Sequence, residues 1–231
     1  MAKKVVGQIY HVLNRGVDKR DIFLDDEDRF RFVHDLFEFN DVAPINNVKY
    51  YFNQTSKAIA RPYINVERRP RKLLVEILAF CMMTNHYHLL LRPLSDNGIT
   101  HFMKRLNMGY AHYFNLKYQR SGALFQGRYK SVHVVNDAHF IHLPYYIHLN
   151  PLDLYMPRWR EREISNYQQA LKFLKKYRWS SHLDYMGIKN LPSVTQRGFL
   201  LKFWDNSQYE NGLIEWLKSI ELQDMNPMLL E

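Results

Sequence analysis

Two histidines one residue apart, His86 and His88, interrupt the apolar run Ala79-Phe-Cys-Met-Met-Thr-Asn-His-Tyr-His-Leu-Leu-Leu-Arg92. Side chains alternate along an extended strand, so both imidazoles face one side while Tyr87 and Leu89 face the other. Two imidazoles about 6–7 Å apart on a rigid strand make half of a metal site. With 11 histidines in 231 residues, roughly half of random chains of this composition would contain one His-x-His, so the spacing alone does not decide. Two readings fit the pair, a metal site or strand histidines hydrogen-bonded to neighbours. Placement at the polar start of a strand raises the first, because unpartnered buried imidazoles are costly.

The elements that would position them are legible. Gln8–Arg15 reads as a first strand, closed by the turn at Gly16. Asp25 to Asp28 supply acids to the start of a helix carrying Phe30, Val33, Leu36 and Phe37 at helical spacing. Leu73–Met83 and His86–Arg92 read as two strands turning at Asn85, which pair as a hairpin. A long helix over 99–118 carries the stripe Phe102, Leu106, Tyr110, Tyr113 and Phe114. After a short strand at 131–135, residues 138–149 read as helix, kinked or restarted at Pro144 and stopped at Asn150-Pro151. On that helix Tyr146 and Asn150 lie four residues apart and share a face, so a phenol and an amide oxygen can address one small target. Tyr145 points about 100° away and is expected to pack or to touch DNA.

Composition narrows the class. The net charge is +9 with a pI near 9.5, a balance that draws polyanions, nucleic acid foremost. Sixteen tyrosines add rings on which unstacked bases could lie. The connector 117–130 holds Lys117, Arg120, Arg128 and Lys130 and no acid, with Tyr118, Phe125 and Tyr129 between them. An ordinary surface loop and a single-strand or hairpin-binding segment both fit it. Residues 41–72, ending in Arg68-Arg69-Pro-Arg-Lys72, read as an insertion or extended connection, its basic run either solvated or in contact with phosphates. No apolar run nears the ~20 residues of a membrane span, and residues 1–7 lack the apolar segment of a signal peptide. The single cysteine, Cys81, allows no intrachain disulfide and is expected to be buried. A cytoplasmic protein is expected.

The segments Asn85-His-Tyr-His-Leu-Leu-Leu, Phe125-Gln-Gly-Arg-Tyr129 and Tyr146-Ile-His-Leu-Asn-Pro151, in that order, resemble the HUH single-tyrosine transposases, the REP-associated group above all. Tyr10-His-Val-Leu-Asn-Arg-Gly16, Asp-Glu-Asp-Arg-Phe at 26–30 and Trp179-Ser-Ser are similar too. The likeness covers 8–155 well and 156–187 loosely. Thr84 departs from the proline often found before Asn-His.

Past 156 the composition turns basic and then acidic, and residues 195–218 read as helix around Phe199, Phe203 and Trp216, so the division is 1–155 for the nuclease domain and 156–231 for a mainly helical, basic-to-acidic C-terminal extension. The resemblance implies an α+β, ferredoxin-like antiparallel sheet with helices packed on it. It makes His86, His88 and Asn150 the ligands of a divalent cation and Tyr146 the nucleophile, linked to a DNA 5′ phosphate. Arg15, Lys117, Arg120, Arg128, Lys130, Arg68 and Arg69 are the expected DNA contacts. Nitrogen and amide-oxygen donors suit Mg²⁺ or Mn²⁺, whereas zinc would be expected with more histidine or with cysteine. The activity implied is metal-dependent cleavage and strand transfer on single-stranded or hairpin-flanking DNA, as monomer or homodimer, in transposition or repeat mobilisation. Two other classes remain: a non-catalytic hairpin DNA- or RNA-binding regulator on the same fold, and a zinc nuclease using water.

Overall fold

The computed structural model describes residues 7–43, 51–53, 58–60, 71–135, 137–161 and 163–219. The first strand, β1 (Tyr10–Arg15), leads through a turn to α1 (Asp26–Glu38). Asp25 caps that helix by accepting the Asp28 amide at 2.9 Å, and Asp26, Glu27 and Asp28 fill its first turn. Acids there oppose the positive end of the helix dipole. A two-stranded hairpin, β2 (Tyr51–Asn53) and β3 (Ala58–Ala60), lies within the expected 41–72 insertion. Then come β4 (Val75–Met82), β5 (His86–Pro93), α2 (Gly98–Lys117) and β6 (Lys130–His133). Helix α3 (Asp137–Leu149) follows, and a single turn of tighter helix at Asn150–Leu154 extends it. The C-terminal part holds α4 (Tyr167–Lys176), α5 (His182–Tyr185) and α6 (Asn206–Ser219).

The four long strands order as β4-β5-β1-β6, every pair antiparallel. With α1 after β1 and α2 after β5, this is the expected ferredoxin-like α+β arrangement. One sheet face carries Tyr10, Val12, Tyr87, Leu89 and Leu91 against Phe30, Val33 and Leu36 of α1 and Phe102, Leu106 and Tyr110 of α2. Gly109 permits the close approach of the two helices, since a Cβ there would strike the Phe39 ring.

The opposite face carries a second core. A bulge between Ile77 and Ala79 shifts the register of β4, so Leu78, Ala79 and Cys81 join Leu90 beneath α3. Leu143, Ile147 and Leu149 of α3 fill this core together with Trp159, Leu174, Tyr185, Tyr209, Leu213 and Trp216 from downstream. The outer edge of β4 is covered as well: Met82 N–H donates to the Trp179 carbonyl at 2.9 Å and Ser181 N–H to the Phe80 carbonyl at 3.0 Å. An exposed sheet edge is thereby closed to other chains.

Of the two expectations for Pro144, the restart is not seen: α3 runs on through it as one helix, and the missing N–H removes only the bond to the Phe140 carbonyl. The helix expected over 195–218 is instead a short turn at Leu200–Lys202 and then α6 from Asn206. Asp205 imposes the break, its carboxylate accepting from the Ser207 and Gln208 amides at 2.9 Å. Among the described residues, no helix is long and apolar enough to cross a membrane.

Candidate active site

β5 presents His86 and His88 on one face, as alternation requires, opposite Arg15 and Leu13 of β1. Their ring centroids stand 5.0 Å apart at 78°. Both rings are buried, His88 completely. Each has its Nδ1 committed: that of His86 lies 2.6 Å from Asn85 Oδ1, and that of His88 lies 2.9 Å from His11 Nε2. An amide oxygen only accepts, so the His86 proton sits on Nδ1 and its Nε2 carries a bare lone pair. His88 Nε2 is buried without a hydrogen-bond partner.

Charge at these rings is disfavoured. Burial, then the cations of Arg15 and Arg160, lower the His86 pKa to about 3. Burial, His86, His11 and the same two arginines push His88 well below its ordinary value. Both imidazoles are therefore neutral at pH 7, the form that ligates metals. An orphaned, neutral, buried nitrogen beside a second bare one fits a divalent cation. Among the described residues, no group of three His, Cys, Asp or Glu gathers to hold a metal.

Tyr146 comes to the same place from α3. Its ring meets His88 edge-on, centroids 6.0 Å apart at 89°, and meets His11 at 6.3 Å and 81°. It is fully buried, with the Arg160 guanidinium 5.7 Å from its ring centre and Trp159 at 6.5 Å. Asn150, also buried, donates its amide to the Tyr146 carbonyl at 2.8 Å. Its Oδ1 accepts from Arg160 at 2.8 Å, and Arg160 is held in turn by Asp153. The Asn150 amide nitrogen is thus spent on its own helix and its oxygen is turned to a guanidinium. Tyr145 packs, as one of its two expectations had it: its hydroxyl accepts from Trp204 Nε1 at 2.5 Å and its ring lies on Tyr209 and Trp216.

The basic residues divide. Arg15, Arg128 and Lys130 line a cavity of about 300 Å³ with Leu13, Asn14, Gln126 and Gly127, beside His86 through its neighbour Arg15. Backbone bonds Val17 N–H to Leu124 carbonyl (2.9 Å) and Gln126 N–H to Arg15 carbonyl (2.8 Å) pin the 124–126 segment to the end of β1. Lys117 instead meets Asp25, Glu27 and Asp28 at 2.8, 3.2 and 2.9 Å. Burial opposes its charge, but the hydrogen bonds it donates to Asp25 and Asp28 outweigh burial and raise the Lys117 pKa. Arg120 is tied to Asn115 Oδ1 at 3.0 Å. Arg68 and Arg69 lie outside the described residues. His11 and Arg160 escaped the sequence reading; strand parity puts His11 on the face of Arg15, but only the β1–β5 register brings it to His88.

Residues 66–150 match the family model of the IS200-like transposases, a span containing His86, His88, Tyr146 and Asn150. A comparison with curated proteins gives no match. A solved REP-associated tyrosine transposase bound to a REP hairpin is similar over 83% of this chain and 90% of its own, at 14% identity and a TM-score of 0.49. The family match ends at residue 150, so Trp159 and Arg160, which enclose the tyrosine, come from beyond it.

Proposed function

We propose that the chain is a metal-dependent DNA endonuclease and strand transferase acting on single-stranded or hairpin-flanking DNA through Tyr146. The observation that carries this is the edge-on seating of the Tyr146 ring against His88, on the strand face where two neutral imidazoles offer bare nitrogens. His86 and His88 would hold Mg²⁺ or Mn²⁺, with Asn150 completing the set once its oxygen leaves Arg160. The bound ion supplies neutralisation of charge on a phosphate oxygen and on the leaving 3′ oxygen. The Tyr146 oxygen attacks phosphorus, the P–O3′ bond breaks, the 3′ oxygen ends protonated, and the 5′ phosphate stays on the tyrosine. Bond energy kept in that ester permits rejoining. Arg15, Arg128 and Lys130 bind the backbone beside the site, and a splayed strand reaches it where a stacked duplex would not.

The test is a denaturant-stable adduct between the protein and an end-labelled hairpin oligonucleotide with Mg²⁺ or Mn²⁺. Tyr146→Phe should abolish it, and His86→Ala should suppress cleavage while leaving DNA binding largely intact. An adduct that survives Tyr146→Phe moves the nucleophile elsewhere, and cleavage without attached protein points to a water-using nuclease. The complete burial of Tyr146 favours a second reading, a hairpin-binding regulator without turnover. Tight hairpin binding with no adduct under any metal would select that reading.

A further inference from the structure

We infer that His11 is a positioning residue for His88: it accepts the His88 Nδ1 proton and thereby fixes the tautomer and aim of the imidazole that would face the metal. This rests on the proposed metal role of His88. His11 lies on β1 two residues before Leu13, the register partner of His88, so the pair is diagonal on one sheet face. Diagonal neighbours start about 7–8 Å apart, within reach of rings. Here the reach is used, with His11 Nε2 2.9 Å from His88 Nδ1 and the rings stacked at 5.2 Å and 19°.

A bond between two neutral imidazoles requires one donor and one acceptor, which leaves two assignments. If His11 donates, the His88 proton must sit on Nε2, and Nε2 is buried with no acceptor. If His88 donates, Nε2 carries a lone pair, and a cation there satisfies it. Only the second assignment serves metal binding.

Two further observations agree. His86 has the same arrangement, its Nδ1 held at 2.6 Å by the acceptor Asn85 Oδ1, so both histidines have an acceptor behind them and a bare nitrogen in front. Such outer partners orient ligand histidines and raise their basicity. His11 is also fully buried, with Leu90 as its register partner, where an apolar residue would serve a purely structural purpose at lower cost. Its ring touches Tyr146 as well, so one side chain bears on both the ligand and the nucleophile.

The experiment measures Mn²⁺ binding to the full chain by electron paramagnetic resonance, in the absence of DNA, for the parent and four variants. His11→Phe keeps a ring but no acceptor; His11→Gln restores an acceptor; His86→Ala and His88→Ala remove the ligands. His11→Phe should weaken Mn²⁺ binding about 10–100-fold, His11→Gln should recover most of the loss, and metal-free binding of a hairpin oligonucleotide should stay unchanged. Parent-like Mn²⁺ affinity in His11→Phe, with affinity lost in His88→Ala, overturns the inference and leaves the functional reading standing. Parent-like affinity in His86→Ala and His88→Ala overturns both. Should His11→Phe fail to fold, imidazole ¹⁵N shifts of the parent decide: an Nδ1–H tautomer at His88 supports the inference, and an Nε2–H tautomer refutes it.

Discussion

Taking the protein from pH 7 to pH 5 should remove a large part of its folding stability, and four histidines drive the loss. His86, His88, His148 and His182 are all buried and all have depressed pKa values, burial being the largest cause in each; His86 falls to about 3 and His182 to about 4. His148 and His182 share one hydroxyl: Tyr209 Oη lies 2.7 Å from His148 Nδ1 and 2.9 Å from His182 Nδ1, while His148 Nε2 lies 2.6 Å from Ser181 Oγ. In the unfolded chain each histidine takes up a proton near pH 6.5, whereas in the folded chain it waits for a far lower pH. Stability from these groups is therefore full above pH 6.5 and lost as the pH falls toward their folded values. At pH 5 His86 and His182 each cost about 2 kcal/mol, and His88 and His148 add to the loss in the same direction, against the ~5–15 kcal/mol that holds a typical domain. Urea unfolding followed by tryptophan fluorescence at half-unit steps from pH 7.5 to 5 measures it. The slope should approach about 1.4 kcal/mol per pH unit per histidine. His182→Gln should flatten the slope by about a quarter, whatever it does to stability at pH 7. A free energy constant to within 1 kcal/mol between pH 7 and 5 would mean that these rings are charged, or rehydrated, in the native protein.

Tyr209→Phe should cost about 2–4 kcal/mol in the same unfolding assay at pH 7, because it strips a partner from two buried imidazole nitrogens at once; a loss below 1 kcal/mol would show that water takes the hydroxyl's place. Lys117→Met should destabilise by about 1–2 kcal/mol, discounted for its partial exposure, since it leaves the fully buried Asp28 carboxylate without its cation. If Lys117 belongs to the framework, that variant should leave the salt dependence of DNA binding untouched, and a reduced slope would return it to the DNA surface. Arg128→Ala, in the cavity it lines with Arg15 and Lys130, should weaken hairpin binding and lower the slope of log K against log salt by about one; an unchanged slope would put the backbone elsewhere.

The half of the site that lies on one strand was readable because a period of two leaves no freedom: once 86–93 is extended, His86 and His88 must share a face. The Tyr146–Asn150 pair was readable for the same reason at a helical period. What brings strand and helix together was not, since it depends on the register between β1 and β5 and on a bulge at Leu78 that no local pattern announces. Lys117 shows the limit of composition. Its stretch of chain holds no acid, yet its charge is met by Asp25, 92 residues upstream. Arg160 was hidden likewise: it stands ten residues past Asn150, beyond any periodic relation to it. The break at Asp205, by contrast, was written in Asp-Asn-Ser-Gln, a helix-start signal that outranks the apolar spacing around it.

Helix α3 is gripped from behind by its own chain, with Tyr145 set among Trp204, Tyr209 and Trp216. The Tyr146 phenol and the His88 imidazole that its ring meets thus sit on one polypeptide. Lending that helix to a second copy would mean prising three aromatic partners from a sealed interior. Turnover per molecule should accordingly hold steady as the protein is diluted, whereas a site shared between copies would fade with them.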